Sequence, residues 1–141
     1  MRVALVVVLV AFLLPVAAFA ADSSGQLGIG WGPEYGFAGL NYEGHGKRLT
    51  PTVGAGVSAA NVGVNWYLTN AKKGDMPAGY RLQLIGGPVW NGGWNASLSI
   101  GSRFGNWDYG VGALWFSTDT NAVGVSADQG VTVAYSFGFR F

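Results

Sequence analysis

The sequence predicts an all-β fold: a transmembrane antiparallel up-and-down β-barrel of about eight strands, preceded by a cleavable signal peptide. Three observations lead to this prediction. They are an apolar segment at the N-terminus, a composition rich in apolar residues but poor in charge, and side chains that alternate in character with a period of two. Such alternation gives each strand one apolar face, and a closed sheet can present that face to lipid.

Residues 1–20 have the features of a secretory signal peptide. Arg2 is their one cation, an apolar core runs from Val3 to Leu14, and small residues end in Ala18-Phe19-Ala20. The core of about 12 residues is shorter than the roughly 20 that span a bilayer as a helix, which favours cleavage over an uncleaved anchor. We therefore expect a signal peptide at 1–20 and one outer-membrane barrel domain at 21–141.

The composition narrows the class of protein. Hydrophobic residues make up 50% of the chain and charged residues 11%, with 24 glycines and no cysteine. Disulfides therefore cannot stabilise the domain, and after residue 20 no apolar run is long enough for a spanning helix. The net charge of +1 indicates no nucleic-acid partner, and the glycine-rich stretches do not open a helix as a nucleotide-binding loop would. A spanning barrel reconciles these features, because only alternate residues face lipid.

The last segment, Val131 to Phe141, alternates most clearly. Val131, Val133, Tyr135 and the three following odd-numbered phenylalanines share one face, while small or polar residues and Arg140 share the other. Two further segments, Trp94 to Phe104 and Asn61 to Leu68, repeat the pattern. Four more alternate less strictly, with Ile85, Leu114 and Phe116 as exceptions: Tyr80–Trp90, Trp107–Phe116, Thr52–Ser58 and Asn121–Ser126.

Gln26 to Tyr42 is interpreted as one long strand that bends at Gly32-Pro33, because the apolar parity continues through the proline. The alternative is a turn between two short strands. One long strand gives a count of eight. It also places the links near Ala59-Ala60, Asn91 to Gly93 and Ser117 to Thr120 at the end of the C-terminus, and the links Glu43 to Leu49 and Thr69 to Ala78 at the opposite, outer end.

The segment Tyr135-Ser136-Phe137-Gly138-Phe139-Arg140-Phe141 resembles the terminal β-signal of Gram-negative outer-membrane proteins. In that family, the final Phe and the alternating apolar residues Tyr135, Phe137 and Phe139 are implied to be what the assembly machinery recognises. With its signal peptide, the chain resembles the small eight-stranded barrels typified by OmpX and the membrane domain of OmpA. The resemblance implies a location in the outer membrane, with lipids and lipopolysaccharide as neighbours.

Aromatic residues on the apolar face form the first candidate constellation. We expect them to make two girdles at the membrane interfaces. One girdle groups Trp66, Tyr80, Phe104 and Trp107 at the outer rim; the other groups Trp31, Trp90, Trp94, Trp115, Phe139 and Phe141 at the inner rim. The alternative is a water-soluble β-barrel with an aromatic core.

Charged residues on the opposite face form the second constellation: Glu34, Arg81, Arg103, Asp108 and Arg140. A Gly105-Asn106 turn would pair Arg103 with Asp108, and a link at Asn91 to Gly93 would pair Trp90 with Trp94 and Arg81 with Arg103. Such a network predicts a packed, ionic lumen, since eight strands leave a bore only wide enough for side chains. A selectivity ring in a narrow pore is the alternative.

Catalysis is the third possibility, because some small outer-membrane barrels are lipid A-modifying acyl hydrolases or acyltransferases with a Ser nucleophile and a His base. His45 is the one histidine, and it lies between glycines in a predicted loop with no serine beside it. We expect no catalytic site, no cofactor and no metal. The sequence thus favours a structural or surface-interaction role in the envelope, with a pore for small solutes or ions second and an acyl hydrolase third.

Overall fold

The computed structural model describes residues 25–69, 78–90, 92–117 and 129–141. They form eight strands and one short 3-10 helix. The strands are β1 (Gln26–Gly32), β2 (Phe37–Glu43), β3 (Leu49–Gly56), β4 (Ala60–Tyr67), β5 (Gly79–Pro88), β6 (Trp94–Phe104), β7 (Trp107–Ser117) and β8 (Gln129–Arg140), and the 3-10 helix is Pro33–Tyr35. Within the described ranges, no helix has the length and apolar character needed to cross a membrane.

The eight strands close into one antiparallel up-and-down barrel, in which each strand pairs with its neighbours in sequence. The barrel closes where Gly28–Trp31 of β1 pairs with Phe137–Arg140 of β8. Around the circuit the paired positions shift by about ten residues, so the strands tilt by roughly 40° to the barrel axis, as in other barrels of this size.

The interpretation of Gln26 to Tyr42 as one strand is wrong. The chain reverses direction at Pro33–Tyr35, and β1 pairs with β2 from Gln26↔Glu43 to Gly32↔Phe37. The parity that continues through Pro33 is a coincidence, because Tyr35 is fully buried inside the barrel and not on its outer face. The count of eight holds even so, with β1 and β2 as separate strands. The expected strand Asn121–Ser126 and the expected signal peptide lie outside the described residues.

The direct antiparallel pairing of β7 with β8 also corrects the ends of the barrel. The β2–β3 link, the β4–β5 link and the Gly105-Asn106 turn now lie at the same end as the C-terminus. Asn106 accepts a backbone hydrogen bond from Arg140, and Trp107 packs against Phe139 with ring centroids 5.0 Å apart. We call this the terminal end and the other the far end. The expected placement of the longer links at the end opposite the C-terminus was wrong because it counted a strand at Asn121–Ser126 between Trp107–Phe116 and the last strand, whereas β7 and β8 pair directly.

The barrel is apolar outside and polar inside. Large apolar side chains such as Ile29, Leu98 and Val133 project outward and are exposed. Every charged residue of the eight strands faces the lumen and is buried. The exceptions to alternation are explained as well: Ile85, Leu114 and Phe116 point inward and fill the lumen towards the far end. The distribution is the reverse of that in a water-soluble barrel.

Candidate functional site

The turn between β1 and β2 folds into the lumen and forms its centre. Gly32, with φ 117°, and Gly36, with φ 61°, bracket the 3-10 helix and adopt backbone conformations that favour glycine. Pro33 occupies the first helical position, where its missing N–H costs nothing. All three helical residues are buried, so the turn directs Glu34 and Tyr35 inward, away from solvent.

Asparagine side chains hold this turn by its backbone. Asn41 donates from Nδ2 to the carbonyl oxygen of Glu34 at 2.8 Å, and Asn61 donates to the carbonyl oxygen of Pro33 at 2.6 Å. A side chain at Gly54 would overlap the Glu34 carbonyl, so only glycine admits the turn there. Residues of β2, β3 and β4 therefore hold the backbone of the turn, independently of the contacts that its side chains make.

Glu34 joins the turn to the wall of the barrel. Its Oε2 accepts hydrogen bonds from Arg81 Nη2 at 2.8 Å and from Gln83 Nε2 at 2.6 Å. Gln83 in turn donates to Asn65 Oδ1 at 2.8 Å. A carboxylate buried this deeply needs such donors, since an unpaired charge in the lumen would be strongly destabilising.

Asp108 is the carboxylate on which three arginines converge. Its Oδ1 accepts hydrogen bonds from Arg81 Nη1 at 2.6 Å and from Arg103 Nε at 3.1 Å, and its Oδ2 pairs with Arg140 Nε. Tyr35 Oη also donates to Oδ2, at 3.4 Å.

Glu43 is a lumen residue that the sequence analysis assigned to a link. It pairs with Arg103 Nη2, lies 3.4 Å from Arg140 Nη2, and accepts a hydrogen bond from Thr50 at 2.6 Å. The signal was present in the sequence: Leu40 and Tyr42 alternate with Asn41 and Glu43, which extends β2 by one inward residue. The sequence analysis missed Glu43 because it ended the strand at Tyr42.

The structure thus brings together all five charged residues named from the sequence and adds Glu43. Three arginines face three carboxylates, so the buried charges balance. The Arg103 guanidinium also lies over the Tyr67 ring, 5.4 Å from its centroid. Arg140 Nη1 and Nη2 have no hydrogen-bond partner among the described residues, although Nη2 lies near both glutamates.

The cross-strand pairs inferred from turn lengths are right in one case and wrong in two. Arg103 pairs with Asp108 across the Gly105-Asn106 turn, as predicted. Arg81 lies opposite Gly101 and not Arg103, and Trp94 lies opposite Pro88 and not Trp90. The link after β5 is longer than inferred, so the register moves by two residues. A shift of two keeps each side chain on its face, which is why Arg81 and Arg103 still share the lumen.

The ten aromatic residues named as girdles are all exposed. At the terminal end lie Trp66, Tyr80, Phe104 and Trp107, and at the far end lie Trp31, Trp90, Trp94 and Trp115. The expected grouping of Phe139 and Phe141 with Trp31 is wrong, since β8 ends beside Trp107. Trp90 also donates from Nε1 to the Gly56 carbonyl at 2.8 Å, which ties the β5–β6 link to β3.

His45 is exposed in the link between β2 and β3. In the part of the chain that the structure describes, no three His, Cys, Asp or Glu side chains group to hold a metal ion. Towards the far end, apolar residues and asparagines fill the lumen; Asn95, for example, donates to Asn61 at 2.9 Å. The arrangement can therefore stabilise a barrel from within.

Comparison of the chain with protein-family models, with curated proteins and with solved structures finds no match.

Proposed function

We propose that this protein is a non-enzymatic integral outer-membrane β-barrel, exported by a signal peptide, with a structural or surface-interaction role in the cell envelope. One observation carries the proposal: the strands place their charges inside and their large apolar side chains outside. An outer face of this kind is stable against hydrocarbon, where closed barrels are one of two structures that satisfy all backbone hydrogen bonds. The terminal segment Tyr135 to Phe141, with its resemblance to the β-signal, supports insertion by the barrel assembly machinery.

The test is to express the full chain in a Gram-negative host and to fractionate the envelope. We expect recovery in the outer-membrane fraction, and a band on gels that shifts when the sample is heated, because a closed barrel resists detergent until boiled. Deleting Phe141 should reduce the yield in that fraction while the periplasmic amount rises. Recovery of the intact protein as a soluble periplasmic species would contradict the proposal.

The packed lumen supports a structural role over conduction, and planar-bilayer recordings test this part of the proposal. A barrel plugged by Glu34, Tyr35 and the arginines should give no single-channel steps. Steps of constant amplitude would instead favour the narrow pore. For the acyl hydrolase, His45→Ala should leave the lipid A mass spectrum of the host unchanged relative to wild type; a lost product would identify an enzyme.

A further inference from the structure

The outer wall carries a groove of about 770 Å³ across β5 to β8, nearer the terminal end. Its sides are outward apolar residues, among them Leu82, Ile100 and Val111, and its floor includes Gly101 and Gly110, which have no side chain. Ser102 makes a notch in this wall, because the outward positions beside it are large and aromatic or aliphatic.

Three residues that carry a hydroxyl lie in one row across the strands at this notch. Tyr80 is paired with Ser102, and Ser102 is paired with Tyr109, so the three outward side chains stand side by side on neighbouring strands. Aromatic contacts hold the two tyrosine rings: Tyr80 packs edge-on against Phe104 at 6.2 Å, and Tyr109 packs against Phe137 at 5.4 Å. The row lies two residues from the end of β6, about 7 Å along the strand.

We propose that this groove binds one acyl chain of a membrane phospholipid, with the ester group of that lipid at the row formed by Tyr80, Ser102 and Tyr109. The inference rests on the proposed membrane location. It goes further, because it assigns an ordered lipid to one face of the barrel and not merely a general contact with the bilayer.

The chemistry of the groove selects this occupant. Arg81 lines the groove, but its side chain is buried in the lumen and paired with Glu34 and Asp108. The outward residues of the described strands β5 to β8 carry no charge, so an acidic or basic ligand would find no exposed partner there. β5, β6 and β7 are each paired along both edges, so a peptide strand would find no free backbone groups to pair with. An acyl chain needs neither an exposed charge nor free backbone groups, and the carbonyl of its ester group can accept hydrogen bonds from the hydroxyls of Tyr80, Ser102 and Tyr109.

An apolar wall attracts one lipid chain no more strongly than another. The preference of the groove for a bound phospholipid must therefore come from hydrogen bonds and from the fit of the acyl chain to the groove. The row of Tyr80, Ser102 and Tyr109 lies near the end of β6, which fits contact with a lipid ester group, since tyrosines are favoured at the membrane interface where ester groups lie. Filling the notch should therefore remove the fit, and removing the tyrosine hydroxyls should weaken the hydrogen bonds.

The experiment compares three barrels purified from the outer membrane: wild type, Ser102→Phe, and the control Ala96→Phe. Ala96 is also a small outward residue of β6, but it lies outside the groove, opposite Gly86 and Trp115. Each folded barrel is transferred to detergent containing palmitoyl-oleoyl phosphatidylethanolamine and analysed by native mass spectrometry. We expect wild type and Ala96→Phe to retain one phospholipid, and Ser102→Phe to bind it about tenfold more weakly.

A second variant, Tyr80→Phe with Tyr109→Phe, should also retain less phospholipid without filling the groove. Equal retention by all variants, or no retention by wild type, would overturn the inference while leaving the membrane location intact. Failure of wild type to reach the outer membrane or to shift on heating would overturn the proposed function itself, and the inference with it.

Discussion

Asp108 shows how a single residue controls the lumen. It is fully buried, and Arg81, Arg103 and Arg140 all pair with it. Removing one member of a buried ionic group leaves the others without compensation, which costs more than the group contributes when complete. The charge balance of three against three therefore matters more to stability than any one ion pair.

Asp108→Ala should destabilise the barrel by about 3–5 kcal/mol, because three buried arginines would then face two carboxylates. The double change Asp108→Ala with Arg103→Ala restores the balance and should cost less than Asp108→Ala alone. Urea unfolding of barrels refolded into phospholipid vesicles, followed by tryptophan fluorescence, measures both. Lys47→Ala, an exposed cation in the β2–β3 link, is the control and should change stability by less than about 0.5 kcal/mol. A double variant that costs the sum of its single changes would refute the coupling.

Gly138 is required by close approach of the inward turn. A Cβ at this position would overlap the hydroxyl of Tyr35. We expect Gly138→Ala to cost about 1–3 kcal/mol in the same unfolding assay, as overpacking of a core does. In a Tyr35→Ala background the same change should cost little, because the space is then empty. A full cost in both backgrounds would show that the clash with Tyr35 is not the cause.

Among the elements, the inward 3-10 turn determines what fills the barrel. It is held by side chains from four strands, through Asn41, Asn61, Arg81 and Asp108. The neighbouring turn between β3 and β4 is different in kind, since Val57 there is 72% exposed. Two connections at the same end thus have opposite relations to solvent.

This contrast can be tested by cysteine labelling, because the natural sequence has no cysteine. In folded barrels, Pro33→Cys should resist a membrane-impermeant maleimide, whereas Val57→Cys should react readily. Both should react after heating in detergent, which confirms that each thiol is competent. Rapid labelling of Pro33→Cys in a barrel that retains its heat-dependent gel shift would show that the turn lies outside the lumen.

For the whole molecule, the proposed membrane environment rests on the reversed polarity of the barrel. Closing the sheet removes its unpaired edges, and the charged residues of the strands compensate one another inside, so the described outer face is largely apolar. Leu98 lies midway along β6 and is 61% exposed, whereas Leu49 is an equally exposed residue at the first position of β3.

Leu98→Arg should therefore destabilise the vesicle-embedded barrel by about 2–4 kcal/mol, because a charge at mid-membrane depth is costly. Leu49→Arg, at a strand end, should cost no more than about 1 kcal/mol. Unfolding in vesicles with denaturant measures both. If Leu98→Arg were neutral, the outer face at this depth would be in contact with water.

The sequence by itself determined which residues share a face. Alternation is local, so it identified the strands Trp94–Phe104 and Trp107–Ser117 almost to the residue, and it placed Arg81, Arg103, Asp108 and Arg140 on one side. It also predicted the pair Arg103↔Asp108, because a two-residue turn leaves one register.

The tertiary structure alone decided that the chain reverses at Pro33 and in which register β5 pairs with β6. The outward side chains are odd-numbered in β1 and even-numbered in β2, but Tyr35 and Phe37 keep the odd parity past Pro33 and so concealed the reversal. A shift of two residues between β5 and β6 preserves parity, so the alternation cannot detect it. The inward turn depends on Asn61, Arg81 and Asp108, which are distant in sequence, and it draws Glu34 into the ionic lumen. The face of the sheet on which a side chain lies follows from local geometry, whereas the end of the barrel at which a link lies and the contacts inside the lumen follow from how the strands pack together.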